Sequence, residues 1–303
     1  MSKHIRAPFA AGFAAPLAAI FALAFALLAG CATLDEKQRA WIFQPSDRSW
    51  GNSGEAASGM DDVWISFQSR TSGQPVKLHA LWLAADGAPN VANGPARAAA
   101  QPGKSPVMLY LHGARWNVSG SSGRIRRMQE LGFSVLAIDY RGFGKSSNEL
   151  PSETSANEDA RAAWDWLAAR YPSRPRYIFG HSLGGAIAIE LATQVDDESG
   201  TIVEGTFTSI PEVFDSMKWG WLPVGALITQ RFDAAARVGK IGSPLLVVHG
   251  TQDSTIKPEL GRKLFEAAQQ PKAFVLVEGG SHFSTNAVGQ AQYRLALARL
   301  FNL

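Results

Sequence analysis

A serine, an aspartate and a histidine each stand just past an apolar run in this chain. Ser182 follows Tyr177-Ile178-Phe179, Asp253 follows Leu245-Leu246-Val247-Val248, and His282 follows Phe274-Val275-Leu276-Val277. A serine hydroxyl is a weak nucleophile at neutral pH and needs a base within hydrogen-bond reach. Histidine can take its proton and return it to a leaving group, while a carboxylate fixes the imidazole tautomer and stabilises the imidazolium. Ser182 lies in Gly180-His181-Ser182-Leu183-Gly184-Gly185, between the apolar run and the helical stretch Ala186-Ile187-Ala188-Ile189-Glu190-Leu191. That context fits a sharp strand-to-helix turn that lifts the serine oxygen above a sheet edge, its glycines admitting close backbone neighbours. By itself Gly-x-Ser-x-Gly also fits a glycine turn in which Ser182 caps a helix. The rest of the chain decides between the two.

Each role has rivals. His112, His181 and His249 also lie near strand ends, but each adjoins a glycine and reads as shaping a turn; His79 reads as a strand residue. Asp215 and Asp233 are alternatives to Asp253 for the acid, read more simply as solvated or capping residues. An oxyanion needs donors already aimed at it. The N–H of Leu183, after the serine and at a helix start, is one candidate. Ala114, in His112-Gly113-Ala114-Arg115-Trp116-Asn117, is the second. Arg115 and Trp116 are surface side chains or pocket walls, and we carry Trp116 as a wall.

These residues need a scaffold. Asp62–Phe67 and Val76–Leu83 read as a hairpin across Ser72-Gly73-Gln74-Pro75. Continuous apolar runs at 107–111, 133–138, 177–179, 203–207, 245–248 and 274–277 read as strands buried on both faces. Helical stripes separate them: Ala160, Trp164, Leu167, Ala168 and Tyr171; Leu260, Leu264 and Ala267; and Tyr293, Leu295, Leu297 and Leu300. Alternating strands and helices predict an α/β fold with an eight-stranded, mostly parallel sheet flanked by helices. Ligands of such sheets bind beyond the carboxyl ends of the strands, where Ser182, Asp253 and His282 stand. Between the sixth and seventh strands Val213, Phe214, Met217, Trp219, Trp221, Leu222, Val224, Leu227 and Ile228 crowd into a segment too long for a crossover. We expect a short helical lid over about 209–240, with Trp219 and Trp221 lining the substrate pocket.

From about Val76 to Leu303 the chain resembles the α/β-hydrolase superfamily, in its small-lid serine esterase and lipid-hydrolase branch. Four stretches carry the likeness: Leu111-His112-Gly113; Asp139-Tyr140-Arg141-Gly142-Phe143-Gly144-Lys145-Ser146-Ser147; Gly180-His181-Ser182-Leu183-Gly184-Gly185; and His249-Gly250-Thr251-Gln252-Asp253 with Gly280-Ser281-His282. The resemblance implies the triad and oxyanion roles above, an acyl ester as substrate and no cofactor. Arg115-Trp116 departs from it, placing a large aromatic where such proteins often carry small polar residues. The rival readings are a non-catalytic anchored protein that uses the fold for binding, and a peptidase or thioesterase with the same triad.

The first thirty residues address the chain. Lys3 and Arg6 precede an almost continuous apolar stretch from Ala10 to Ala29. A basic start, an apolar core and small residues at the end read as an export signal. Leu28-Ala29-Gly30-Cys31 resembles the bacterial lipobox, in which the cysteine becomes the lipidated first residue. Cys31 is the only cysteine of the 303 residues, and Pro16 and the alanine-rich composition weigh against a spanning anchor. The expected domains are a signal over 1–30, a polar lipidated tether over 31–60 and the hydrolase domain over 61–303, held at the membrane of a bacterial envelope. The formal charge is +3, and removing Lys3 and Arg6 leaves +1, which is no footprint for nucleic acid. No Cys/His spacing supports a metal site.

Overall fold

The computed structural model describes residues 30–46, 57–85, 105–115, 117–217, 220–222 and 224–303. Strands β1 (Asp61–Gln68) and β2 (Pro75–Leu83) form the predicted antiparallel hairpin. Then follow β3 (Val107–Leu111), β4 (Ser134–Ile138), β5 (Arg176–His181), β6 (Gly200–Glu204), β7 (Leu245–Gly250) and β8 (Lys272–Val277). They make one sheet in the order β1-β2-β4-β3-β5-β6-β7-β8, antiparallel as far as β4 and parallel beyond.

The apolar runs explain this arrangement. In β3, Val107, Leu109 and Leu111 pack on one face with Trp164 and Ile187, while Met108 and Tyr110 pack on the other with Ile125 and Tyr293. The first face is covered by α3 (Glu153–Arg170), α4 (Leu183–Ala192) and α7 (Pro258–Ala267); the second by α2 (Ser122–Glu130) and α9 (Gln290–Phe301). Each fully buried aliphatic or aromatic side chain contributes about 1.5–3 kcal/mol, so a strand with no exposed face is held from both sides. Between β6 and β7 lie the short helices α5 (Ile210–Asp215) and α6 (Ala235–Val238), and α8 (Thr285–Val288) precedes α9.

Three expectations need correction. The sixth strand runs Gly200–Glu204 rather than 203–207, because Gly205 turns the chain out of the sheet at φ +58°. In α9, Leu295 is exposed while Ala296 and Leu297 are buried, since Tyr293 and Leu295 lie on different faces of a 3.6-residue turn. Residues 30–43, expected as the last signal residue and the start of the tether, form helix α1. Ile42 and Phe43 are buried, with Phe43 against Phe143 and Phe232.

The Asp139–Ser147 stretch is braced by buried charge. Arg141 donates to both carboxylate oxygens of Asp159, from N at 2.8 Å and from Nη2 at 2.7 Å, and to Glu158 Oε2 at 2.7 Å. His79, from β2, sits between Asp139 Oδ2 (2.9 Å) and Asp62 Oδ1 (2.5 Å). Asp139 Oδ1 accepts the Val118 N–H at 2.6 Å, which fixes the turn behind the β3 loop. Burial opposes a charge on His79, but the hydrogen bonds to Asp139 and Asp62 outweigh it and raise its pKa above the ordinary value. A raised histidine stabilises the fold fully below its unfolded value of about 6.5 and loses that contribution as pH rises through the folded value. The urea midpoint should therefore fall as pH rises above about 6.5 more steeply for the wild type than for His79→Gln. Parallel midpoint-against-pH curves would remove this role from His79.

Candidate active site

Ser182 separates β5 from α4 at φ 55° and ψ −121°, a conformation that costs a non-glycine residue about 1–3 kcal/mol. Its neighbours impose it. The Ser182 N–H donates to Glu204 O at 2.9 Å, and its carbonyl accepts from Gly185 N and from Thr206 Oγ1, each at 2.9 Å. A Cβ on Gly184 would stand 2.2 Å from Leu111 O, and Gly113 lies against the Ser182 side chain. Gly184 is therefore the point where the end of β3 meets the start of α4, while Gly180 lets the start of α4 pass close over β5.

His282 and Asp253 come from the loops after β8 and β7. His282 Nδ1 lies 2.8 Å from Asp253 Oδ2, and both residues are buried. Asp253 Oδ1 accepts from Thr255 N at 2.9 Å and Ile256 N at 2.8 Å. Burial would favour the neutral acid, but hydrogen bonds from His249, His282 and the Ile256 amide outweigh it and hold the Asp253 carboxyl well below its usual range. His249 is more than a turn former, because its Nε2 donates to Ile256 O at 2.9 Å and so braces the Asp253 loop. Asp215 ends α5 in an exposed position, and Asp233 lines a separate polar groove. The partner of His282 is Asp253.

Ser182 and His282 line one cavity of about 580 Å³. Leu183 and Ala114 line it too. Leu183 is the first residue of α4, so its N–H has no partner within the helix. The Arg115 N–H, next to Ala114, donates to Phe43 O at 2.8 Å, and Arg115 is held at φ 71°. The last turn of α1 thus fixes the loop that carries Ala114.

The expected pocket wall is partly wrong. Trp221 is 73% exposed and is not part of the cavity wall. The lid helix α5 has already ended at Asp215, and the turn closed by Gly220 N–H to Met217 O carries Trp221 outward. Trp116 and Trp219 lie outside the described residues. The lid wall is built instead by Ile210, Val213, Phe214, Met217, Leu227 and Ile228. Sequence reading missed the opposite wall, which is α1 through Leu34, Gln38, Trp41 and Ile42. Helix and lid are tied together: Gln38 Nε2 donates to Leu227 O at 2.7 Å and Gln230 Nε2 to Asp35 Oδ1 at 2.8 Å. The signal was present, because Leu34, Trp41 and Ile42 stand at i, i+7 and i+8, but the polar run Asp35–Arg39 hid it. Cys31 is exposed near the start of α1. Among the described residues no helix is long and apolar enough to cross a membrane, and no His/Cys/Asp/Glu cluster could hold a metal.

A mostly parallel eight-stranded sheet, with a strained serine between its fifth strand and a helix and Asp and His beyond its last two strands, defines the α/β-hydrolase class. A family model described as serine aminopeptidase, S33, matches residues 103–232, which include Ser182 and end before Asp253. The esterase Pf2001 of Pyrococcus furiosus superimposes with a TM-score of 0.64 over 86% of this chain and 98% of its own, at 19% identity. A bromoperoxidase from Bacillus anthracis gives 0.57 over 80% and 100%, at 16% identity. At such identities the likeness is one of fold. An uncharacterized protein of Mycobacterium tuberculosis is 34% identical over 59% of this chain and 64% of its own length. The lysophosphatidylserine lipase ABHD12 of Danio rerio is 33% identical over 55% and 48%. The aligned region thus spans between about half and just under two thirds of these relatives. The chain has the α/β-hydrolase fold and is similar to these proteins over the aligned region.

The close approach at Gly184 carries a test. Gly184→Ala forces its Cβ onto Leu111 backbone, so unfolding free energy should drop by about 1–3 kcal/mol or more. Urea unfolding measures it, and an unchanged midpoint would mean that the β3–α4 contact yields freely.

Proposed function

We propose that the protein is a serine hydrolase that cleaves carboxylic esters of lipid-like acyl chains through an acyl-enzyme. The observation that carries this reading is Ser182, held in its strained turn at the wall of a cavity that His282 shares, with His282 hydrogen-bonded to a charged Asp253. Ser182 Oγ attacks the ester carbonyl carbon while His282 accepts its proton; the Leu183 and Ala114 N–H groups receive the oxyanion. The tetrahedral centre collapses, the alcohol leaves with the proton from His282, and water repeats the sequence to release the acid. The likeness to an esterase fold and to lysophosphatidylserine lipases supports hydrolysis.

The cavity wall favours an ester of an apolar acid over a free amino-terminal peptide. Among the described residues no Asp or Glu lines the cavity, so nothing there would pair with a substrate ammonium. Of ten exposed large hydrophobic residues among those described, five also line this cavity: Leu34, Trp41, Met217, Leu227 and Phe283. An apolar rim on an apolar cavity suits a substrate drawn from a lipid layer. A lipid on Cys31 would leave Trp41 about 15 Å along α1 from the anchor and hold the mouth near the headgroups.

Ser182→Ala should lower ester turnover by about 1,000-fold or more with the fold intact, and abolish labelling by a fluorophosphonate probe. Near-wild-type turnover in that variant would overturn the reading. Each acyl CH₂ buried against the cavity wall adds about 0.8 kcal/mol. Trp41→Ser and Phe214→Ser should therefore cut kcat/KM on octanoate esters by about 10-fold and on acetate esters by less than about 2-fold. Equal losses on the two esters would take both side chains out of acyl recognition.

Cys31→Ser should leave the chain unlipidated, measured as loss of metabolically incorporated fatty acid from the membrane fraction. Persistent acyl labelling in that variant would assign the modification elsewhere.

A further inference from the structure

At the cavity wall, where Arg124 lines the same space as Ser182 and His282, stands a buried ion pair that the proposed chemistry does not itself use. Glu204, the last residue of β6, is fully buried, and Arg124 of α2 is nearly so. Arg124 Nε donates to Glu204 Oε1 at 2.7 Å, and the Tyr293 hydroxyl of α9 donates to Glu204 Oε2. Arg124 Nη2 turns the other way, donating to the carbonyl of His282 at 3.1 Å and of Phe283 at 3.4 Å. The same Glu204 accepts, through its backbone carbonyl, the N–H of Ser182.

We propose that Arg124 and Glu204 are positioning residues that hold the His282 loop in register with Ser182. The proposal rests on the reading of Ser182 and His282 given above. Glu204 touches both halves of the pair: its main chain fixes the strained turn, and its carboxylate reaches the base through one guanidinium. The loop after β8 has no strand beyond it, so it needs such a tie. Arg127, one turn from Arg124 on α2, adds a second by donating from Nε to Asn286 Oδ1 at 2.7 Å. His181, beside the nucleophile, adds a third by donating from Nε2 to the His282 carbonyl at 3.0 Å. Burial, then the Arg124 charge, holds the His181 pKa well below its usual value, so the ring is neutral with its proton on Nε2.

The residue types follow from the task. The acceptors are two successive carbonyls and a carboxylate on opposite sides, which the planar, multiply donating guanidinium spans and a lysine ammonium does not. Carbonyl acceptors cannot neutralise the charge, so Glu204 must be buried with it. Deleting one partner of such a pair strands the other's charge and threatens folding. The informative variants therefore keep volume: Arg124→Lys, Glu204→Gln, and the double variant Arg124→Gln with Glu204→Gln, which buries no net charge.

The test compares kcat and KM on a soluble acetate ester with the rate constant and amplitude of fluorophosphonate labelling at Ser182. A displacement of about 1 Å between base and nucleophile costs about 100-fold in rate. We expect kcat and the labelling rate constant to fall together by about 10- to 100-fold in Arg124→Lys and in the double variant. KM should stay within about 3-fold and the labelling amplitude near one per chain. A variant whose amplitude falls while its rate constant holds has lost folded protein and not position, which counts against the clamp. Wild-type rate constants in folded Arg124→Lys and double variants overturn it, leaving the Ser182 reading intact. Should the wild type fail to label at Ser182, that reading fails first.

Discussion

Everything at this site hangs on holding one serine in a backbone conformation that serines avoid. Ser182 is pinned from below by the Glu204 carbonyl, from behind by Gly185 and Thr206, and from the side by the loop after β3. The strain is local, and the restraints come from three strands and a helix. The central sheet must therefore be complete and rigid before the turn can persist. That requirement explains why β3 to β7 are buried at every position but Arg176: a strand with one wet face would leave the turn resting on a surface free to shift.

A second constraint is charge in a dry interior. Asp253, Glu204, Arg124, Arg141, Asp159 and Asp139 are all buried. Each carboxylate among them meets a histidine, an arginine or backbone N–H groups, so desolvation is offset at each position. These pairs lie beneath or beside the loops that shape the cavity. The polar interior is the framework that sets loop positions, while the aliphatic interior sets the sheet.

Local signals were legible in the sequence, and long-range ones were not. The strands were readable because a run such as Val107–Leu111 has no polar break, and Ser182, Asp253 and His282 were picked by their place after such runs. The structure brings those three residues to one place. The pairing of Arg124 with Glu204 was invisible, since eighty positions separate them and one of three arginines in a polar helix reads as solvated. Helix α1 was lost to composition, its stripe of Leu34, Trp41 and Ile42 being interrupted in the sequence by charged residues. Trp221 misled in the opposite way: its size suggested a pocket wall, but the early end of α5 turned it outward.

The distribution of the site along the chain has a consequence in time. Ser182 belongs to the middle of the sheet, flanked by β3 and β6, whereas Asp253 and His282 follow β7 and β8, the last strands to be synthesised. A chain emerging from the ribosome can assemble the strands around Ser182 while the base is still unmade. Arg124 and Glu204 have then both been made, and the His282 loop follows about eighty residues later. During that interval Ser182 has neither Asp253 nor His282 beside it in the chain already made.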